Sequence, residues 1–429
     1  MNYSEFFDSL WPICRSITGP GLRQSLEIVR QKIPIEIYSK PTGQEVFDWT
    51  VPDEWRIKDA YLIGPDGVKY CDFHQTNLCI VNYSVNIDKY LEFEDLESHL
   101  HSLPSLPKAI PYVTSYYSAN WGFCVSHEVL GTMPKRGKYH CFIDSEHTQG
   151  SLEYGHSLLD GGYSEKEVLL SSYLCHPSLA NNELSGPLVL AGLYERLKNW
   201  KFRRFNYRFY IGPETIGALC FLSDFGDLLL SRTMLGLVLT CLGGKNDLLS
   251  VKLPRNKNSF AFTYLSSVAD FRLRNFTPDG GSDERQFCSP GFNLPVANIC
   301  RDVYCDYDGY HNSLDTKEYM SIEAVCASVD RIESLLIDFE SNCPFERVNP
   351  YGEPQLGKRN LYPNTSFHSR WNESSDESFD GGELKKSIMW LLSYSDGEHP
   401  IQYISELSGC SLKSLKHAAK ILCDNNLLK

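Results

Sequence analysis

The chain has 429 residues, of which 42% are apolar and 22% charged, and a formal net charge of −13. That length suits two or three domains of ordinary globular composition, and the acidic balance argues against wholesale nucleic-acid binding. No apolar stretch approaches the roughly 18 residues of a membrane span, and the N-terminus lacks the basic and apolar regions of a secretory signal. The 15 cysteines form no CxxC pairs and no regular framework. They are expected to be reduced and mostly buried in a cytoplasmic protein, and a cysteine-built zinc site is not indicated.

In residues 1–38, Phe6, Leu10 and Ile13, then Leu22, Leu26 and Val29, recur at helical spacing and predict two helices. Arg15 to Gly21 is a turn between them. Pro34 closes the second helix, and Ile35 to Tyr38 starts a strand. Residues 41–129 are crowded with aromatics, including Phe47, Trp49, Trp55, Tyr112, Tyr116 and Tyr117. Gly64-Pro-Asp-Gly67 between Ala60–Ile63 and Val68–Tyr70 signals a hairpin, and Leu78 to Tyr83 reads as another strand. A β-rich module is expected here, its aromatics either lining a cleft or filling a small core.

From about 138 to 345, strand and helix patterns alternate. Strands are expected at 139–143, 168–175, 207–211, 235–240 and 294–299. Helices are expected at 187–197, 217–230, 258–268 and 322–342. The pattern predicts a three-layer α/β domain with a mostly parallel sheet, formed by 1–40 and 130–350 and interrupted by 41–129. Residues 351–382 are rich in Pro, Gly, Asn and Ser and read as a linker. In 383–429, helices are expected at 383–394, 401–408 and 412–423, with Gly409 as a turn and Ser411 as an N-cap. This is helix-turn-helix spacing. Lys413, Lys416 and Lys420 share one side of the last helix, whereas Glu406 and Asp424 dilute the charge. Lys429 falls early for a wing hairpin. A protein contact or dimerisation is expected of this unit at least as much as DNA binding.

Four stretches carry chemistry. His176 ends the apolar run from Val168 and is followed by Pro177-Ser-Leu-Ala-Asn-Asn-Glu-Leu-Ser-Gly186, with Pro187 in the first turn of the next helix. Open α/β sheets place ligand sites at the carboxyl ends of such strands. Glu214 ends the next strand, in Gly212-Pro-Glu-Thr-Ile-Gly217. Gly280-Gly-Ser-Asp-Glu-Arg285 is a Gly-rich turn. Its Asp283, Glu284 and Arg285 either bind a substrate's amine and carboxylate or pair with one another. Tyr310-His311 precedes Asp315.

In this order the stretches resemble the M28 zinc aminopeptidases over about 130–345, with a contribution from 1–38. More closely, the chain is similar to bacterial aminopeptidase-like proteins with an inserted β domain and a C-terminal winged helix-turn-helix. Val46-Phe-Asp-Trp49, Ile110 to Tyr117, Cys175 to Gly186 and Gly281 to Gln286 carry that likeness. The resemblance implies two zincs sharing a bridging Asp, with a Glu as general base on a metal-activated water. Here Asn182 stands at the bridging position and Thr240 where a ligand Asp belongs. A single Glu214 followed by Thr215 replaces a Glu pair. Too few carboxylates remain to neutralise two dications, so one zinc per chain is expected. His176 and His311 would hold it with a carboxylate, Glu214 or Asp283, and Asn182 would stand nearby. Glu214 serves as base or as ligand, and Asp315 would orient His311 from behind.

The implied activity is hydrolysis of an amide in a small peptide or an amino-acyl or acyl-amino conjugate. The alternative is a catalytically altered fold acting as a ligand-binding or regulatory protein through its helix-turn-helix. A small substrate is the expected partner. A homo-oligomer is compatible with the sequence, DNA is disfavoured, and no membrane partner is expected.

Overall fold

The computed structural model describes residues 1–304, 306–361 and 381–429. Within the expected linker, 362–380 lie outside the described residues, and 351–361 carry a single 3-10 turn at Gly357–Arg359. The chain divides into two compact units. The first comprises Met1–Asp160, Lys166–Trp200 and Tyr207–Ile332, and the second Gly161–Glu165, Lys201–Asn206 and Glu333–Lys429.

The first unit is built on an eight-stranded sheet. Its strand order is Glu36–Pro41, Ser151–Leu159, Asn206–Gly212, Glu167–Tyr173, Thr233–Leu239, Val296–Cys300, Ser250–Lys252 and Arg272–Arg274. Glu167–Tyr173, Thr233–Leu239 and Val296–Cys300 run parallel to one another. Glu36–Pro41, Ser151–Leu159 and Asn206–Gly212 pair antiparallel. Every residue of Glu167–Tyr173 and of Asn206–Gly212 is buried, as expected of strands covered on both faces. Helix Ser185–Leu197 begins hard against this sheet. A Cβ on Gly186 would stand 2.3 Å from Ser172 Oγ and 2.4 Å from the Leu239 carbonyl, so only glycine permits the approach.

A second, four-stranded antiparallel sheet orders Lys69–Asp72, Glu54–Ile63, Lys138–Thr148 and Ile87–Glu92. The strand expected at 139–143 belongs here and not to the large sheet. Its alternating burial marks a strand with one covered face, unlike the central strands. Strand Ser151–Leu159 was not anticipated. Leu78 to Tyr83 is not a strand. It holds a 3-10 turn at Asn77–Cys79 and isolated bridges from Ile80 to Phe123 and from Asn82 to Thr114. The buried Asn82 amide accepts from Ser16 Oγ (2.6 Å) and donates to the Arg15 carbonyl (2.9 Å), local bonds that compete with a ladder. One continuous core runs from Ala60, Leu62 and Tyr139 to Leu169, Tyr210 and Val238, so the two sheets share an interior.

The second unit packs helices Gly381–Tyr394, Ile401–Ser408 and Leu412–Asp424 around Leu384, Ile388, Leu391, Leu415 and Leu422. Gly409 ends the middle helix with φ 67°, and Ser411 Oγ accepts the Ser414 N–H at 3.2 Å as the N-cap. The β pairing of this unit is not a hairpin after the last helix. Glu346 and Lys429 exchange backbone hydrogen bonds of 3.1 and 2.9 Å, and Val348 N–H reaches the Leu427 carbonyl at 3.1 Å. The expectation of an incomplete wing overlooked this earlier segment. No helix among the described residues is long and apolar enough to cross a membrane. The described cysteines are free, and all but Cys14 and Cys326 are buried.

Candidate functional site

Strands Glu167–Tyr173 and Asn206–Gly212 lie side by side in the large sheet, and the Leu174 N–H bonds the Gly212 carbonyl at 2.8 Å just beyond their ends. His176 and Glu214 follow these two strand ends and therefore meet. His176 Nδ1 lies 2.9 Å from Glu183 Oε2, and Nε2 lies 3.9 Å from Glu214 Oε2. A proton on Nδ1 is shared with Glu183, and Nε2 faces Glu214.

Glu183 is fixed from behind. Its Oε1 accepts the Cys175 N–H and lies 3.6 Å from Arg15 Nε, with both the Arg15 and Glu183 side chains at 0% exposure. Arg15 also donates to the His176 carbonyl (3.1 Å) and to the Leu10 carbonyl (2.6 Å). Burial works against a charge on His176, but Cys175 and Glu183 outweigh it and raise its pKa well above the ordinary value. Burial raises the pKa of Cys175 itself, and His176 acts against that rise.

Glu214 is placed by a strained turn. Thr215 has φ 65° and ψ −77°, and Ile216 N–H reaches the Glu214 carbonyl at 2.9 Å, forming the rarer kind of γ-turn. Ser282 Oγ donates to Glu214 Oε1 at 2.6 Å, and Thr215 N–H donates to Asp283 Oδ1 at 2.7 Å. The Gly-rich turn thus touches both sides of the Glu214 segment. Burial raises the pKa of Glu214, with His176 acting against it. Burial and the neighbouring Glu214 raise Asp283 well above its usual range. Ser178, Thr215, Cys241 and His311 all hold positive φ, between 48° and 65°. Such backbone strain concentrates at functional sites.

His311 sits 5.3 Å from His176, ring centre to ring centre, and Tyr112 packs on both at 4.9 and 5.6 Å. Burial and the His176 charge push His311 down to about 3. Asp315 does not orient His311. Its carboxylate accepts the Asn181 and Asn182 backbone N–H groups at 2.7 and 2.8 Å, which fixes the π-helical turn Ala180–Leu184 that carries Glu183. Asn182 donates to Tyr173 Oη at 3.1 Å, and its Oδ1 is buried with no hydrogen-bond partner among the described residues.

Glu284 is no substrate contact. It forms a 2.9 Å ion pair with Lys252, both side chains at 0% exposure, and accepts the Ser282 N–H. Gly281, at φ 142°, has no room for a Cβ beside Glu284 Oε1 and Lys252 Nζ. Arg285 is half-buried and donates Nε to the Ser282 carbonyl at 3.3 Å.

A cavity of about 220 Å³ opens on this cluster, with Cys175, His176 and Glu214 at its floor and Trp49, Tyr116 and Tyr117 on its walls. The aromatic-rich stretch thus does both things expected of it, since Trp55 is a core residue. The reading from sequence missed Glu183, Arg15 and Cys175. Glu183 had a signal, a carboxylate seven residues past His176 beside Asn182. Arg15 had none, being 161 residues away.

A metal suits this donor set. Cys175, His176 and Glu183 each offer a ligand atom, all within 4.8 Å of one another. Both Glu183 oxygens also hold protein partners, so Glu183 orients His176 while still offering a ligand atom. Asp283 Oδ2 and Asn182 Oδ1 are buried with no hydrogen-bond partner among the described residues. Cys175, His176 and Glu183 are thus the donor set that fits a divalent cation, with Glu214 3.9 Å from His176 Nε2.

The sequence matches a domain of unknown function (DUF4910) over residues 4–342 and a winged helix-turn-helix over 344–429. A Clostridium acetobutylicum protein, described as a proposed polysaccharide biosynthesis protein with an aminopeptidase-like domain, is 38% identical over 427 residues, covering 98% of this chain and 94% of its own. The crystal structure of a proposed peptidase from Clostridium acetobutylicum superposes with a TM-score of 0.79 at 36% identity, over 100% of this chain and 96% of that one. The Bacillus subtilis zinc aminopeptidase BSAP shares the fold at 12% identity and a TM-score of 0.55, over 78% of this chain and 94% of that one. The M28 peptidase precursor of Shewanella amazonensis does so at 11% identity and a TM-score of 0.54, over 78% and 91%. The match over residues 4–342 and the 38% identical relative make this chain a member of the DUF4910 family, with a C-terminal winged helix-turn-helix.

Proposed function

We propose that the chain is a metal-dependent hydrolase of an amide bond in a small peptide or an acyl-amino conjugate, using one zinc per chain and working in the cytoplasm. The observation that carries this reading is His176, its Nδ1 held by Glu183 and its Nε2 turned toward Glu214. His176 and His311 would hold the cation with a carboxylate drawn from Glu183, Glu214 or Asp283. Once bound, zinc would polarise the substrate carbonyl and acidify a water molecule.

The chain's own groups do the remaining work. Glu183 and Arg15 fix the imidazole and its tautomer. Glu214, raised by burial, takes the proton of the attacking water and passes it to the leaving nitrogen. Water adds across the C–N bond: hydroxyl joins the acyl carbon, and the proton ends on the amine. The relative named for polysaccharide biosynthesis supports an acyl-amino sugar among the candidate substrates.

The test is a panel of aminoacyl and N-acyl amides offered to the zinc-loaded protein, with release of free amine as the readout. Hydrolysis that disappears in Glu214→Gln, with unchanged circular dichroism, is the expected result. Hydrolysis that survives in Glu214→Gln would remove Glu214 from the reaction.

A second reading is favoured by the exposed Lys413, Lys416 and Lys420 on helix Leu412–Asp424. In that reading the helix-turn-helix contacts DNA and the α/β unit senses a ligand. Duplex DNA binding with a steep salt slope would support it.

A further inference from the structure

The walls of the cavity come from residues that the proposed chemistry does not use. Trp49 and Tyr117 meet edge to face with ring centres 5.4 Å apart, and they remain 38% and 50% exposed. Trp49 lies in a two-residue strand paired with Val46, so Phe47 and Asp48 form the turn between them. Phe47 and Tyr117 both have left-handed backbones, with φ 54° and 65°. Bulky residues resist that conformation, so the surrounding structure must impose it. Behind this pair, Tyr116 Oη bonds Tyr112 Oη at 2.9 Å, and Tyr112 packs on His176 and His311. Aromatic side chains therefore share the cavity with His176, from the half-exposed Trp49 and Tyr117 to Tyr116.

We propose that Trp49 and Tyr117 form a ring-binding subsite for the pyranose of a 2-acylamino sugar, whose amide is then the bond presented to Glu214. The proposal rests on the hydrolase reading above and names its substrate class. A sugar ring has an apolar C–H face and a hydroxylated rim. A half-wetted aromatic platform suits that combination, because the face stacks while the rim stays in water. An aliphatic side chain would favour a dry pocket instead. A peptide also brings a terminal carboxylate or further charged groups, and no lysine or arginine among the described residues lines the cavity. Its volume of about 220 Å³ accommodates one ring with a short acyl group. Hydrolysis there would consume one water, breaking the C–N bond and releasing a carboxylic acid and the free amino sugar.

The experiment is saturation-transfer NMR on the full chain with two probes, N-acetylglucosamine and N-acetyl-leucinamide. The proteins are wild type, Glu214→Gln, Trp49→Ala and Tyr117→Ala, each checked by circular dichroism. The sugar's ring C–H protons should receive saturation in wild type and in Glu214→Gln. Sugar affinity should fall about tenfold in Trp49→Ala, as expected for the loss of one stacking contact. N-acetyl-leucinamide should bind more weakly than the sugar. Equal or tighter binding of N-acetyl-leucinamide, or sugar binding unchanged in both aromatic variants, would overturn the proposal. Binding is read without turnover, so a protein that binds the sugar but hydrolyses nothing would refute the hydrolase reading alone.

Discussion

Arg15→Gln should unfold the first unit more easily than almost any other single change behind the site. Arg15 is wholly buried, and burial lowers its pKa while Glu183 opposes that shift. Its guanidinium serves Glu183, the His176 carbonyl and the Leu10 carbonyl at once. Glutamine keeps a donor but removes the charge, leaving Glu183 buried with only His176 to answer it. Breaking a buried pair from one side costs about 3–5 kcal/mol. The two carbonyl hydrogen bonds add roughly 1 kcal/mol each where glutamine cannot reach them. Because the loss exposes no extra surface, urea unfolding should show a lower midpoint with an unchanged slope. The double variant Arg15→Gln/Glu183→Gln should recover most of the loss, since no uncompensated charge then remains. A cost below about 1 kcal/mol for Arg15→Gln would refute the reasoning, as would strict additivity in the double variant.

Glu284→Gln leaves the buried Lys252 ammonium without its partner. It should cost about 3–5 kcal/mol in urea unfolding while leaving the KM of any substrate unchanged. A raised KM with intact stability would return Glu284 to the cavity. His156 is held neutral by burial and by the Arg208 cation, with its pKa lowered to about 4. The unfolded chain takes up that proton near pH 6.5, so this contribution is complete above about 6.5 and declines toward 4, by about 3 kcal/mol. Urea midpoints of wild type and His156→Phe at pH 7.5 and 5 measure it, and parallel pH dependence in both proteins would contradict it. Ser411→Ala removes the N-cap of helix Leu412–Asp424 and should destabilise the second unit by about 1 kcal/mol. An unchanged thermal transition of that unit would show that the cap contributes nothing.

The elements legible in the sequence were those with strong periodicity. Helices Ile322–Asn342 and Ile401–Ser408 fall at the expected bounds, and the buried central strands fall within a few residues. Lys138–Thr148 was assigned to the wrong sheet because a short apolar segment does not reveal which neighbour it pairs with. Ser151–Leu159 escaped because its Gly155 and His156 break the apolar run, although both are buried. His176, Glu214, Asp283 and His311 stood out because strand ends and Gly-rich turns precede them; the structure puts His176 and Glu214 on one cavity, His311 ring to ring with His176, and Asp283 on the Thr215 N–H. The support behind them was not legible. Glu183, Arg15 and the true partners of Asp315 depend on contacts that cross from the first turn and from the loop before Ile322. Glu284 looked exposed in a Gly-rich turn only because its partner Lys252 lies 32 residues earlier.

The most direct test of the central claim is metal content by elemental mass spectrometry on protein purified without chelator, beside His176→Ala and His311→Ala. The account predicts about one zinc per chain, lost in both variants while circular dichroism stays unchanged. No bound metal even after zinc is added, or a full complement retained in both variants, would contradict it.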